Sequence, residues 1–71
     1  MKVQIEVRID ENLVYIGDSF EVNNSELITL KDTIAQAVEG LVGCFWIDYN
    51  NQTIFFGKEL LKKSIITFYV K

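Results

Sequence analysis

The chain lacks histidine and proline, and its only cysteine is Cys44. Without histidine there is no Cys-His or Ser-His catalytic couple, and one cysteine forms neither an internal disulfide nor a Cys/His zinc set. We therefore expect Cys44 to be a small buried hydrophobe in a reducing compartment. No apolar run approaches the ~20 residues of a membrane-spanning helix and no signal-peptide pattern opens the chain, so we expect a cytoplasmic protein.

Basic residues are also scarce, since 7 Lys and Arg stand against 10 Asp and Glu, for a net charge of -3. Nucleic-acid binding depends on clustered basic side chains that neutralise phosphates, so nucleic acid is not expected as a main ligand. Nothing in the sequence predicts a cofactor. Asp48 and Glu59 are the one conceivable carboxylate pair, but isolated acids on a hairpin are usually solvated, so we do not expect an enzyme.

What the chain has in quantity is apolar side chains, at 49% of 71 residues. This composition is typical of a folded globule, and the length suits one domain, residues 1–71, near the lower size limit for an unassisted core. The segment KVQIEVRI alternates polar and apolar residues, which predicts a half-buried strand. Its buried face would hold Val3, Ile5, Val7 and Ile9. A second strand is expected over LVYIGDSFEV, with residues 19–22 as its secure part and Gly17-Asp18 as a bulge or loop end.

An amphipathic helix follows, because apolar residues then recur at intervals of three and four. They are Leu27, Leu30, Ile34, Val38 and Leu41. The predicted body of the helix runs over about residues 30–42. An alternative start lies at Asn24 or Ser25, and Gly40 or Gly43 would end the helix.

The stretch CFWIDYNNQTIFFG predicts a β-hairpin with its turn at the asparagines, and SIITFYV predicts a last strand. Because Asp48 is costly to bury, we place it outward, and strand alternation then puts Trp46 and Phe55 outward as well. The inward hairpin residues would be Phe45, Ile47, Tyr49, Ile54 and Phe56. In the last strand Ile66, Phe68 and Val70 would face inward, and Ile65, Thr67 and Tyr69 outward. An open alternative is that Trp46, Phe55 and Tyr69 merely cover one another.

The element order ββαβββ predicts an α+β fold of the ubiquitin-like β-grasp type, in which a mixed sheet of about five strands wraps one helix. The segments WIDYNNQTIFFGKEL and LITLKDTIAQAVEGL carry a closer resemblance. Over residues 3–61 the chain resembles the YukD/EsaB family, the small ubiquitin-like proteins of bacterial type VII (WXG100) secretion systems. The positions that carry the resemblance are Leu30, Ile34, Leu41, Trp46, Ile47, Asn50, Asn51, Ile54, Phe55, Gly57 and Leu60. The link after Leu61 is shorter than is usual in that family.

This resemblance implies a noncatalytic accessory or regulatory component of a type VII secretion system. It would bind membrane components or the secretion ATPase without inserting into the membrane. Because TFYVK ends in a strand with no Gly-Gly tail, neither conjugation nor sulfur delivery is expected. With the last strand between the first strand and the hairpin, Trp46 would share the outer face of the sheet with Gln4 and other side chains. The predicted protein-binding residues are Trp46, Tyr69, Thr67, Phe55, Arg8 and Glu6.

Two alternatives stay open for how such a domain would act. One is a generic β-grasp interaction module of a phage or mobile element, which would bind through the edge of its second strand. The other is a homodimer, since pairing would help a core this small and an exposed strand edge invites it.

Overall fold

The computed structural model describes residues 1–41 and 43–71, which form an α+β fold of six strands in two antiparallel sheets with one main helix. The strands are β1 (Lys2–Asp10), β2 (Leu13–Ile16), β3 (Phe20–Glu21), β4 (Cys44–Tyr49), β5 (Gln52–Gly57) and β6 (Ile65–Val70). The helices are the main helix α1 (Asn24–Val38) and the single turn α2 (Lys58–Leu61). The predicted α+β class is confirmed.

Strand β1 is the centre of the larger sheet, and its alternating sequence explains its place. Val3 and Val7 are fully buried and Ile5 is nearly so, as the two-residue period of the strand predicts. One edge of β1 pairs antiparallel with β6 over residues 3–8. The other edge pairs antiparallel with β2 and, near its start, with the short β3.

The prediction of a single mixed sheet is wrong. We expected the last strand between the first strand and the hairpin, but β6 pairs with β1 in an antiparallel manner. Strand β4 pairs with β5 in a separate sheet of two strands. The sequence pattern predicts which side chains face the core, because it follows the strand period, but it does not predict which strand edges meet. That depends on the path of the connections between strands.

Helix α1 begins at the alternative start, Asn24, and not at the expected Leu30, because Asn23 caps it. The Asn23 side-chain oxygen accepts a hydrogen bond from the Glu26 amide at 2.8 Å, and the Glu26 carboxylate accepts one from the Asn23 amide at 2.9 Å. This reciprocal capping box satisfies two amides that the first turn would otherwise leave without partners. The predicted end of the helix at Val42 lies outside the described residues.

The helix ends at Val38 in a turn that depends on Gly40. Gly40 has a φ of 77°, a left-handed conformation that glycine adopts without steric cost. Its amide donates to the Ala37 carbonyl at 3.1 Å, and the Leu41 amide donates to the Gln36 carbonyl at 2.9 Å, which is a Schellman motif. Leu41 therefore lies past the helical period and is exposed, and the buried residue of this last turn is Ala37 where we expected Val38.

The predicted hairpin forms with a two-residue turn at Asn50 and Asn51, whose φ values are 50° and 63°. Both values are positive, as a type I′ turn requires. Alternation then buries Phe45, Ile47 and Phe56, as expected. Tyr49, which we placed inward, is half exposed because it closes the turn opposite Gln52, beyond the end of the core.

The core lies between the inner faces of the two sheets and is closed by the helices. Tyr15 of β2 meets Phe56 of β5 edge to face, with ring centroids 5.3 Å apart. Ile66 and Phe68 of β6 pack against this cluster as expected, whereas Val70, at the end of the strand, is exposed. The buried members of the cluster are Ile5, Val7, Ala37, Phe45, Ile47, Phe56 and Leu61.

Two neighbouring leucines of α2 provide a matched test of this core. Leu61 is 1% exposed and Leu60 is 38% exposed. We expect Leu61→Ala to lower the free energy of unfolding by about 2–5 kcal/mol, because it leaves a cavity in the core, and Leu60→Ala to lower it by less than about 1 kcal/mol. Chemical denaturation followed by circular dichroism measures both values. Equal losses for the two variants would contradict this description of the core.

Candidate functional site

The exposed aromatic pair on the hairpin is the first feature of the candidate site. Trp46 and Phe55 lie opposite each other on β4 and β5, with ring centroids 6.0 Å apart and ring planes at 49°. Trp46 is 55% exposed and Phe55 is 66% exposed, and both face outward as predicted. The two rings contact each other, yet more than half of each side chain stays exposed to solvent. Their contact with each other therefore does not bury most of their apolar surface. We call Trp46 and Phe55 the aromatic pair.

The other predicted contact residues lie on a different sheet. Across β1 and β6, Gln4 is paired with Tyr69, Glu6 with Thr67 and Arg8 with Ile65. Thus Arg8, Glu6, Thr67 and Tyr69 do share one face, but the expectation that Trp46 joins them there is wrong. The cause is the separate pairing of β4 with β5, which removes Trp46 from the sheet that contains β6.

On the β1–β6 face, some polar side chains already have a hydrogen-bond or ion-pair partner within the protein. Glu6 is only 9% exposed, and its carboxylate lies 3.8 Å from the Arg8 guanidinium. Gln4 donates a hydrogen bond to the Gly17 carbonyl at 2.9 Å. Thr67 is half-buried, whereas Arg8 and Tyr69 are exposed. Of the predicted residues on this face, Arg8 and Tyr69 are therefore the two best placed to meet a partner.

Two backbone hydrogen bonds place the 17–18 segment between β1 of the larger sheet and β4 of the hairpin, and the second of them reaches the hairpin. The Gly17 amide donates to the Ile5 carbonyl at 2.9 Å, and the next amide, that of Asp18, donates to the Asp48 carbonyl at 2.8 Å. A side chain at position 17 would be tight, because its Cβ would lie 3.2 Å from the Ile47 Cβ and 3.3 Å from the Asp48 carbonyl oxygen, so these neighbours would have to move by a few tenths of an ångström. Gly17 thus lets β4 approach the segment that follows β2, and the hairpin meets the larger sheet at this corner.

Beside this corner a groove of about 740 Å³ opens between the 17–20 segment, helix α1 and strand β4. Its walls are mostly apolar. We call it the corner groove, and the side chains that shape it are Ile5, Phe20, Leu30, Thr33, Phe45 and Trp46. Trp46 therefore belongs both to the aromatic pair and to the groove.

Sequence reasoning missed the corner groove. Its walls come from three separate segments, and no periodicity in any one of them predicts that they enclose a space. The one available signal was Gly17-Asp18. The sequence pattern predicts a bulge or a loop end there, but it does not indicate that β4 lies beside it. The expectation that Cys44 is buried is also wrong, because Cys44 is exposed at the first residue of β4 and lines the groove.

The described residues contain neither a group of side chains placed to hold a metal ion nor a membrane-spanning helix. In residues 1–41 and 43–71, no group of three or more His, Cys, Asp or Glu is placed to hold a metal ion. No helix in these ranges is both long and apolar enough to cross a bilayer. In comparisons with known proteins, no protein-family model, no curated protein and no solved structure matches this chain.

If the aromatic pair serves mainly for contact, it should contribute little to folding. We expect Trp46→Ala and Phe55→Ala each to lower the free energy of unfolding by about 0.5–1.5 kcal/mol, the range of an exposed cross-strand aromatic pair. A double-mutant cycle followed by circular dichroism should give a coupling of about 0.5–1 kcal/mol. A loss above about 3 kcal/mol for either single variant would make that ring part of the core.

Proposed function

We propose that this chain is a noncatalytic, protein-binding domain of the ubiquitin-like β-grasp type, which acts as an accessory or regulatory component of a bacterial type VII secretion system in the cytoplasm. The observation that carries the binding function is the aromatic pair. Trp46 and Phe55 project from a hairpin whose other face is buried in the core through Phe45 and Phe56. Exposed aromatic residues on such a support are the side chains that most often dominate the energy of protein interfaces.

The secretion setting is supported by the sequence resemblance. The segments around Leu30 and Ile34 and around Trp46 and Phe55 are those that resemble the YukD/EsaB family. The element order, with one main helix before a hairpin and a last strand, agrees with a β-grasp. The chain departs from that fold in the pairing of β6, which is antiparallel to β1. The absence of histidine and the single cysteine support a role without catalysis.

The direct test is affinity purification of the tagged protein from detergent-solubilised membranes of the organism that encodes it. We expect the wild-type protein to retain type VII membrane components or the secretion ATPase, identified by mass spectrometry. Trp46→Ala and Phe55→Ala should each lose most of that material, because they remove the centre of the contact.

The matched control is Ile28→Ala, since Ile28 is an exposed apolar residue on helix α1. It should retain the partners at the wild-type level. Unrelated partners for the wild-type protein would contradict the secretion role. Retention of the same partners by both aromatic variants would contradict the binding surface.

A second candidate mode of action uses the edge of β6, and hydrogen bonding in the sheet favours it. The Lys71 amide donates to the Lys2 carbonyl at 2.8 Å, which sets the phase of pairing between β1 and β6. By alternation, the backbone groups of Ile66, Phe68 and Val70 point away from β1. Among the described residues β1 is the only strand that pairs with β6, so this edge is open.

The open edge lacks the charged residues that usually protect edge strands. Its sequence, IITFYV, contains no charge, proline or glycine. It would pair with the same strand of a second copy without placing like charges opposite each other. Pairing through β6 differs from the expected binding through the edge of the second strand, which stays a prediction.

We expect the protein to form dimers as its concentration rises, measured by size-exclusion chromatography with light scattering. Val70→Pro should abolish the dimer, because it removes an amide at the open edge but no bond to β1. The same change should leave the unfolding free energy within about 1 kcal/mol of the wild type. A monomeric wild type at all concentrations, or a dimeric Val70→Pro variant, would contradict pairing through β6.

A further inference from the structure

The corner groove has the dimensions of a ligand site and an unusual wall. Its volume of about 740 Å³ lies within the ~300–1,000 Å³ typical of such sites. One wall is the edge of β4 from Cys44 to Asp48. At ~3.3 Å per residue, this edge is long enough for about five residues of an extended chain. The opposite walls are the 17–20 segment and the Leu30 and Thr33 side of helix α1.

Among residues 1–41 and 43–71, no strand pairs with β4 on the side of this wall. The two-residue turn makes Tyr49 and Gln52 a hydrogen-bonded pair, so the pairs of Asp48, Trp46 and Cys44 with β5 are of the non-hydrogen-bonded type. The backbone groups of these three residues therefore point away from β5. The bond from the Asp18 amide to the Asp48 carbonyl confirms this direction. Beyond the bond to Asp48, Trp46 and Cys44 line the groove. Their outward backbone groups pair with no strand among the described residues.

The charge of the groove is negative at one end. Asp18 and Asp48 meet at the corner, and both line the groove. One carboxylate oxygen of Asp18 accepts from the Asn50 amide, and one of Asp48 accepts from the Thr53 hydroxyl. Each carboxylate thus keeps an oxygen for a further partner. No lysine or arginine lines the groove or bridges to these acids within the described part of the chain.

The geometry points to one occupant: an extended segment of a partner protein that adds a strand to the open edge of β4 and carries a lysine or arginine at the Asp18–Asp48 end. Main-chain hydrogen bonds to Trp46 and Cys44 would hold it in register, and its alternate side chains would contact Phe20, Leu30 and the Trp46 ring. The basic side chain would offset the negative charge of Asp18 and Asp48. This inference rests on the proposed binding function and names the chemistry of the partner.

The experiment is selection from a displayed library of random twelve-residue peptides against the full-length protein. We expect the selected peptides to share an alternating apolar run followed or preceded by Lys or Arg. The enriched peptides are then synthesised without tryptophan and titrated into the protein. Trp46 is the only tryptophan, so its emission reports binding directly. Hydrogen exchange of the Trp46 amide should slow when the peptide binds, which a contact through side chains alone would not cause.

Matched variants locate the site. Thr33→Arg places bulk and positive charge in the groove and should weaken binding at least about tenfold, while Gln36→Arg, on the same helix outside the groove, should leave it unchanged. Exchanging both acids for amides, Asp18→Asn with Asp48→Asn, should also weaken binding about tenfold, and the amides can still accept the hydrogen bonds of Asn50 and Thr53. Unchanged circular dichroism would show that each variant is folded.

Three results would overturn the inference: no enriched peptides, enriched peptides without a basic residue, or binding that Thr33→Arg does not affect. If Phe55→Ala abolishes peptide binding while Thr33→Arg does not, the partner uses the aromatic pair, and the proposed binding function stands without the groove. If peptides bind in the groove but purification recovers no secretion components, the groove stands and the proposed setting fails.

Discussion

The close approach of β4 to Gly17, whose amide is itself hydrogen-bonded to β1, is the constraint on which the rest of this structure depends. Two consecutive amides, those of Gly17 and Asp18, donate in opposite directions, one to each sheet. This arrangement is free of close contacts because position 17 has no Cβ, which would lie 3.2 Å from the Cβ of Ile47. The contact brings the inner faces of the hairpin and the larger sheet together over one core, so a 71-residue chain obtains a cluster with side chains from both sheets and both helices.

The same contact determines where the surface features lie. Because the segment between β2 and β3 is bonded to β4 at Asp18 and Asp48, the space between this segment and β4 is closed at that end, and the corner groove opens beyond it. Trp46 lies on the open side, two residues along β4 from the bond. Its neighbour Phe55 is held opposite by strand pairing, and the burial of Phe45 and Phe56 on the reverse face fixes the hairpin that carries both rings.

Sequence reasoning succeeded where a local rule decides the outcome. The alternation of Val3, Ile5 and Val7, the asparagine turn and the outward position of Trp46 and Phe55 all follow from the strand period and from turn chemistry. The expected helix body began at Leu30 with Asn24 only as an alternative, whereas the reciprocal bonds between Asn23 and Glu26 begin the helix at Asn24. These bonds also follow a local rule, so the sequence did contain the signal.

The strand order and the groove lay beyond such rules. Which edge of β1 receives the last strand depends on contacts between residues far apart in the chain, and neither β6 nor β1 carries a local pattern that specifies it. The burial of Glu6 could not be predicted for the same reason. Glu6 lies between Thr67 and Ile16, and this position exists only because both edges of β1 are paired. Cys44 was predicted to be buried because free cysteines usually are. That average carries no information about a groove at the start of β4.

The pairing of β1 with β6 has a consequence for biosynthesis. Val7 of the first strand lies opposite Ile66 of the last, so the central strand of the sheet must wait for nearly the whole sequence before its second edge is filled. Ribosomes extend chains at about 5–20 residues per second, so several seconds separate the appearance of the two strands. During this interval the edge of β1 that later receives β6 is unpaired, so the larger sheet is completed only after synthesis has passed Val70.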